Sequence, residues 1–169
     1  HFDNNIDVTS LPGAATRIES DNTLPPGSLS SPLRDAERLN PATLAAMVDT
    51  VREYTATGGS AVDLFNEIVS FEAGPRASEH TSTAAMIDFL TRLAGTEATS
   101  VLDPACGTGA LLTAAAQPVN PATITGYDVN PTAWALCIQR LALHNLPTDA
   151  IHHGDFFAHP GQTADLLIC

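Results

Sequence analysis

The chain contains no lysine; its seven basic residues are all arginine, set against 19 acidic ones for a net charge of −12. Such an acidic surface repels phosphate backbones. This stretch alone is therefore expected to bind nucleic acid poorly, and any phosphate-facing basic surface is expected in another region or a partner. Aromatics are scarce at 5%, so the core of a chain that is 44% hydrophobic must be aliphatic and alanine-rich. No run approaches the roughly 18–20 continuous apolar residues of a membrane span, and the first residues carry no signal-peptide pattern. Both absences predict a soluble, cytoplasmic protein without a membrane partner. Cysteine is limited to Cys106, Cys137 and Cys169. An odd count without ligand spacing argues against a disulfide framework and a zinc site, leaving reduced, mostly buried thiols. His144, His152 and His153 show no metal-ligand spacing either.

What is present divides the chain into three stretches. Residues 1–31 are rich in Pro, Gly, Ser, Asn and Asp, and Leu24-Pro25-Pro26-Gly27-Ser28 is a loop signal; they read as a flexible arm with little regular structure before Pro32. Residues 32–96 read as helical. Asn40 is a good N-cap and Pro41 fits the first helical position, with Leu44, Met47, Val48, Val51 and Tyr54 as an apolar stripe. Gly58-Gly59 stops that helix. Ser60 with Asp63 resembles a capping box, followed by Leu64, Phe65, Ile68 and Phe71, with Gly74 as the stop. A third helix starts near Thr81 or Ser82, buries Met86, Phe89, Leu90 and Leu93, and ends at Gly95. From residue 97 to 169 strands and helices alternate. Ser100–Leu102, Thr123–Tyr127, Ala150–His153 and Asp165–Cys169 read as strands. Helices fall at 109–117 and after Asn130-Pro131, the latter with Ala133, Leu136, Cys137 and Leu141 inward and Trp134 in packing. This alternation predicts an α/β fold with a parallel, doubly wound sheet.

The first strand runs into Leu102-Asp103-Pro104-Ala105-Cys106-Gly107-Thr108-Gly109. Glycines between a strand and a helix permit a tight turn and close approach of backbone to a ligand. Asp128 follows the second strand roughly 20 residues later, where nucleotide-binding folds place an acid on the ribose hydroxyls. A carboxylate suits that place because it accepts from both hydroxyls. Glycines and an aspartate that merely serve turns are the alternative, since a lone Gly-x-Gly is a weak signal. A nicotinamide cofactor fits poorly: its fingerprint needs a third glycine where this chain has Leu112. A phosphate-binding loop fails for want of Gly-Lys-Ser/Thr.

Asp103-Pro104-Ala105-Cys106-Gly107-Thr108-Gly109-Ala110-Leu111-Leu112 resembles the first motif of adenine-N6 DNA methyltransferases, above all the methylation subunit of type I restriction–modification systems. Tyr127-Asp128-Val129-Asn130-Pro131 resembles the second motif and His153-Gly154-Asp155-Phe156-Phe157 the third. Ser78-Glu79-His80-Thr81-Ser82 sits where the family has an aromatic-Thr-Pro segment. Thr81 is retained there, whereas His80 replaces the aromatic and Ser82 the proline; Thr81 or Ser82 as a plain N-cap is the alternative. The resemblance spans residues 63–169.

The resemblance implies a Rossmann-like S-adenosylmethionine-dependent methyltransferase fold, as a partial parallel sheet preceded by a helical segment. It implies that Asp103, Ala105, Cys106, Gly107 and Gly109 hold the amino-acid end of S-adenosylmethionine, with His80 and Thr81 near its methionine end. It gives Asp128, beside Val129, the ribose, and Asp155 with Phe156 the adenine; Asp155 as a plain turn residue and Phe156 as core are the alternatives. Ala164–Cys169 resembles the strand that leads into the family's Asn-Pro-Pro-aromatic catalytic motif. No residue of that motif is in the sequence, so the expectation is a cofactor-binding part of a larger enzyme. The implied activity of the parent protein is methylation of the N6 amino group of adenine in DNA, with DNA met through regions outside this chain and a specificity or restriction subunit as partner. An RNA or protein-glutamine amino-methyltransferase, and a non-catalytic S-adenosylmethionine-binding or assembly module, remain the alternatives.

Overall fold

The computed structural model describes residues 11–36, 38–77, 84–94 and 97–169. Within them, helices come first: α1 (Leu11–Asp21), α2 (Ser30–Ala36), α3 (Pro41–Ala56), α4 (Ala61–Ala77) and α5 (Ala84–Ala94). Strand and helix then alternate as β1 (Ser100–Asp103), α6 (Ala110–Val119), β2 (Thr123–Asp128), α7 (Pro131–Leu143), β3 (Ala150–His153), a 3-10 turn at Phe156–Ala158, and β4 (Leu166–Leu167).

The strands form one sheet in the order β3-β2-β1-β4, and every neighbouring pair is parallel. Parallel neighbours need long crossovers, which α6 and α7 supply. After β3 the chain returns to the far side of β1, so strand order reverses between β1 and β4. Ligands of such sheets bind outside the carboxyl ends of the strands, at that reversal. The expected α/β fold with a partial parallel sheet behind a helical segment is the one observed.

Local chemistry fixes the element ends. Asn130 caps α7 by accepting from the amides of Thr132 (2.9 Å) and Ala133 (3.3 Å), with Pro131 in the first turn. The Asn40 side chain does the same for α3 through Ala42 N at 2.8 Å. Asn120, left-handed at φ 44, terminates α6. The core lies where α6 and α7 cover the sheet: Val101, Leu112, Ile124, Ile138 and Leu141 are completely buried. Each such side chain contributes about 1.5–3 kcal/mol of burial. The first strand is latched at its start by Asp165, whose carboxylate accepts from Thr99 N (2.9 Å), Thr99 Oγ1 (2.6 Å), Ser100 N and Ser100 Oγ (both 3.1 Å).

Three expectations need correction. Composition predicts an arm with little regular structure over residues 1–31, yet from Leu11 onward that stretch holds α1 and the start of α2, and residues 1–10 lie outside the described residues. Pro25-Pro26-Gly27 is the turn between two helices, and Glu19 fastens them: its carboxylate accepts from the amides of Leu29 (2.6 Å) and Ser30 (2.8 Å) and from Ser30 Oγ (3.1 Å). A contact across ten residues is invisible to local composition. Gly74 does not end α4, which continues to Ala77; an interior glycine costs only about 1 kcal/mol. In α5, Ile87 and Leu90 pack on the core, but Met86, Phe89 and Leu93 are exposed, as are Met47, Val51 and Tyr54 of α3 and Ile68 of α4. Periodicity located α3, α4 and α5 but not which of their apolar residues are buried. The side chain of Phe71, the start of the third helix at Thr81 or Ser82, and Gly95 lie outside the described residues. No helix among the described residues is long and apolar enough to cross a membrane.

Candidate cofactor site

The three acidic motifs converge at the carboxyl edge of the sheet. Asp103, the last residue of β1, pairs in register with Gly126, and Asp128, the last of β2, with His153. The β1–β2 ladder continues past the strands, because Cys106 N donates to Tyr127 O at 2.9 Å. On the other side Gly154 N donates to Asp128 O at 2.9 Å, so Asp155 and Phe156 follow directly from the end of β2.

Asp128 organises the turn above β1. One carboxylate oxygen accepts from Gly107 N at 2.8 Å and the other from Asn130 N at 2.7 Å. Each oxygen keeps a further lone pair for a ligand donor. Gly107 has φ +54, and a side chain there would face open space. The left-handed conformation and not crowding demands glycine, and it leaves the backbone open to a ligand. Gly109 has φ +77 and is crowded as well: a Cβ would come within 2.7 Å of Cys137 Sγ. There the turn needs both the conformation and the missing side chain to reach α7 and start α6.

Asp103 is 2% exposed and accepts from Ala105 N at 2.9 Å. Burial pushes its carboxyl up to about 6; the Ala105 amide opposes the shift and the nearby Asp128 charge adds to it. A carboxylate held this way gains from a cation brought beside it. Cys106 and Cys137 are both buried and reduced. A hydrogen bond with Cys137, together with burial, pushes the Cys106 thiol far above its ordinary range. Cys106 is part of the core cluster beneath the turn.

At the end of β3, the buried Tyr127 ring lies 4.9 Å from His152, 5.2 Å from His159 and 5.4 Å from Phe156, centroid to centroid. These contacts seat the 3-10 turn. Asp155 caps that turn by accepting from Phe157 N at 2.9 Å, leaving its second oxygen toward solvent. Phe156 is half-buried, whereas Phe157 is 88% exposed and Val129 69% exposed. Trp134 donates from Nε1 to Ile151 O at 3.0 Å and packs near His153.

The fold thus brings Asp103, Ala105, Cys106, Gly107, Gly109, Asp128 and Val129 together at one edge, with Asp155 and Phe156 adjoining. His80 and Thr81 lie outside the described residues. Sequence reading missed Arg140. It is 9% exposed and its Nε donates to Thr108 O at 2.8 Å, inside the glycine turn. The signal was present: Cys137, Arg140 and Leu141 share the inward face of α7 by i, i+3, i+4 spacing.

A parallel sheet reversing beside β1, with a glycine turn on one strand and an acid closing the next, is the arrangement in which doubly wound α/β sheets offer a ligand crevice. Residues 38–167 match the family described as N-6 DNA Methylase, and the chain belongs to that family. The solved type I restriction-modification system methyltransferase subunit from Streptococcus thermophilus is similar over 48% of this chain and 20% of that one, at 19% identity and a TM-score of 0.42. The chain therefore spans a fifth of that protein's length. No curated protein sequence matches it.

Proposed function

We propose that this chain binds S-adenosylmethionine at the carboxyl ends of β1, β2 and β3, and that its protein methylates the N6 amino group of adenine in DNA. The observation that carries the reading is the Asp128 carboxylate joined to Gly107 N, beneath a left-handed glycine that faces open space. The donor set fits the ligand. S-adenosylmethionine presents an ammonium, a sulfonium and a ribose diol, all of which favour acceptor-only carboxylates. When bound, it supplies an electrophilic methyl group.

The residues of the chain have separate tasks. Asp103, with the turn from Ala105 through Cys106 and Gly107 to Gly109, holds the amino-acid end, and the buried charge of Asp103 is compensated by the ammonium. Asp128 accepts from the ribose hydroxyls through its remaining lone pairs, with Val129 beside it. Asp155 accepts from the adenine amino group through the oxygen that does not cap the 3-10 turn, and Phe156 flanks the ring. His80 and Thr81 contribute near the methionine end. Bases methylated at an exocyclic amine are taken out of the stack. The net charge of −12 puts the DNA backbone on other regions or on a specificity or restriction subunit.

Isothermal titration tests the cofactor assignment. The wild-type chain should bind S-adenosylmethionine, and Asp128→Ala should weaken it at least about tenfold, because charge-assisted hydrogen bonds are worth about 1.5–3 kcal/mol. Unchanged affinity in a folded variant removes Asp128 from the site. For the reaction, tritiated methyl transfer by the protein carrying this chain should favour adenine-containing duplex DNA. Transfer to RNA or to a protein glutamine selects those substrates instead, and binding without transfer selects a non-catalytic module.

A further inference from the structure

Arg140 stands outside the proposed cofactor contacts, yet it is the most deeply placed cation described. Its guanidinium spans two parts of the chain. Nε donates to Thr108 O at 2.8 Å, between the two left-handed glycines. Nη1 donates to Asn66 Oδ1 on α4, and the guanidinium carbon lies 5.2 Å over the Phe65 ring. Both acceptors are neutral oxygens. A buried cation bound to such acceptors is strongly held in place, because losing either leaves an uncompensated donor. The turn is consequently gripped from two directions: Asp128 holds Gly107 N from the sheet, and Arg140 holds Thr108 O from the helices. Asn66 meets the turn through this guanidinium, across 74 residues of sequence.

We infer that Arg140 is a positioning residue that couples the docking of α4 to the shape of the cofactor turn, so that α4 tunes cofactor affinity without touching the cofactor. This rests on the cofactor assignment above. A guanidinium is required because its planar fork serves two acceptors while stacking on an aromatic ring; an ammonium offers one point charge and no such plane.

The test uses the whole chain with two readouts: affinity for S-adenosylmethionine by titration, and amide hydrogen exchange at residues 107–109 without ligand. Asn66→Ala should weaken affinity about three- to tenfold, less than the full worth of a hydrogen bond to a charged group because Asn66 acts on the turn only through Arg140, and should speed exchange at 107–109. Phe65→Leu should act in the same direction. Arg140→Lys should not restore wild-type behaviour, and adding Asn66→Ala to Arg140→Met should cause no further loss. Asn66→Ala and Phe65→Leu keep the test decisive where Arg140→Met does not fold. Affinity within about twofold and unchanged exchange in folded Asn66→Ala overturn the coupling. Wild-type protein that binds no S-adenosylmethionine overturns the cofactor assignment instead, and the exchange readout still decides whether α4 sets the shape of the turn.

Discussion

Replacing Asp103 by asparagine keeps the shape of the side chain and its acceptor for Ala105 N while removing a charge from the foot of the turn. Burial raises the carboxyl from 3.8 to about 6 in the folded chain. At about 1.36 kcal/mol per pH unit, that displacement corresponds to roughly 3 kcal/mol. The sign follows from proton linkage. Between about pH 4 and 6 the folded state holds a proton that the unfolded state has lost, so wild-type stability falls as pH rises through this window. Above it the full cost persists, and below about pH 4 it vanishes. Asp103→Asn should therefore be more stable than wild type at pH 8, by up to about 3 kcal/mol. The gap should close as pH falls from 6 to 4. Urea denaturation of both proteins across pH 3.5–8 measures it. A gap that does not change with pH, or a variant less stable at pH 8, would refute the reasoning that burial strains this charge. The same variant should bind S-adenosylmethionine about tenfold less tightly, because a neutral amide no longer attracts the ammonium.

Two further outcomes follow from contacts in the fold. Gly109→Ala should destabilise the chain by about 2–4 kcal/mol, combining the left-handed backbone with overpacking against Cys137 Sγ at 2.7 Å; thermal melts measure it. Cys137→Ala in the same chain should recover only part of the loss, because the backbone of Cys137 also lies within 3.2 Å; full recovery would show that the backbone conformation costs nothing. The amides of Ser30 and Leu29 hold the Glu19 carboxyl below its usual range against the opposing effect of burial. Stability from Glu19 is therefore complete above its unfolded value and lost as pH falls through the lower folded one. Glu19→Gln should cost about 1–3 kcal/mol at neutral pH and raise amide exchange at the start of α2; protection left intact there would assign the cap to another group.

The sequence by itself determined the caps and turns set by immediate neighbours in the chain, Gly74 within α4 excepted. Asn130-Pro131 had to open a helix, since cap and first-turn proline act within three residues. The β1 turn with its glycines, and the acid after β2, were legible because left-handed backbone and strand ends leave local marks. Those marks located all of the proposed site that lies between Asp103 and Phe156. Only the tertiary structure decided what depends on distant partners. It set the strand order that puts β4 beside β1, because parallel pairing is chosen by packing and not by the strand's own residues. It also buried Asp103, which a surface aspartate of identical sequence context would not share. The α1–α2 pair appeared through Glu19 reaching across a turn that reads as disorder, and α5 turned Phe89 outward although its periodicity favoured burial. Arg140 shows the limit most clearly. Its place on the inward face of α7 was readable from spacing, but its two acceptors, Thr108 and Asn66, meet only once α4 and the turn have folded against the same helix.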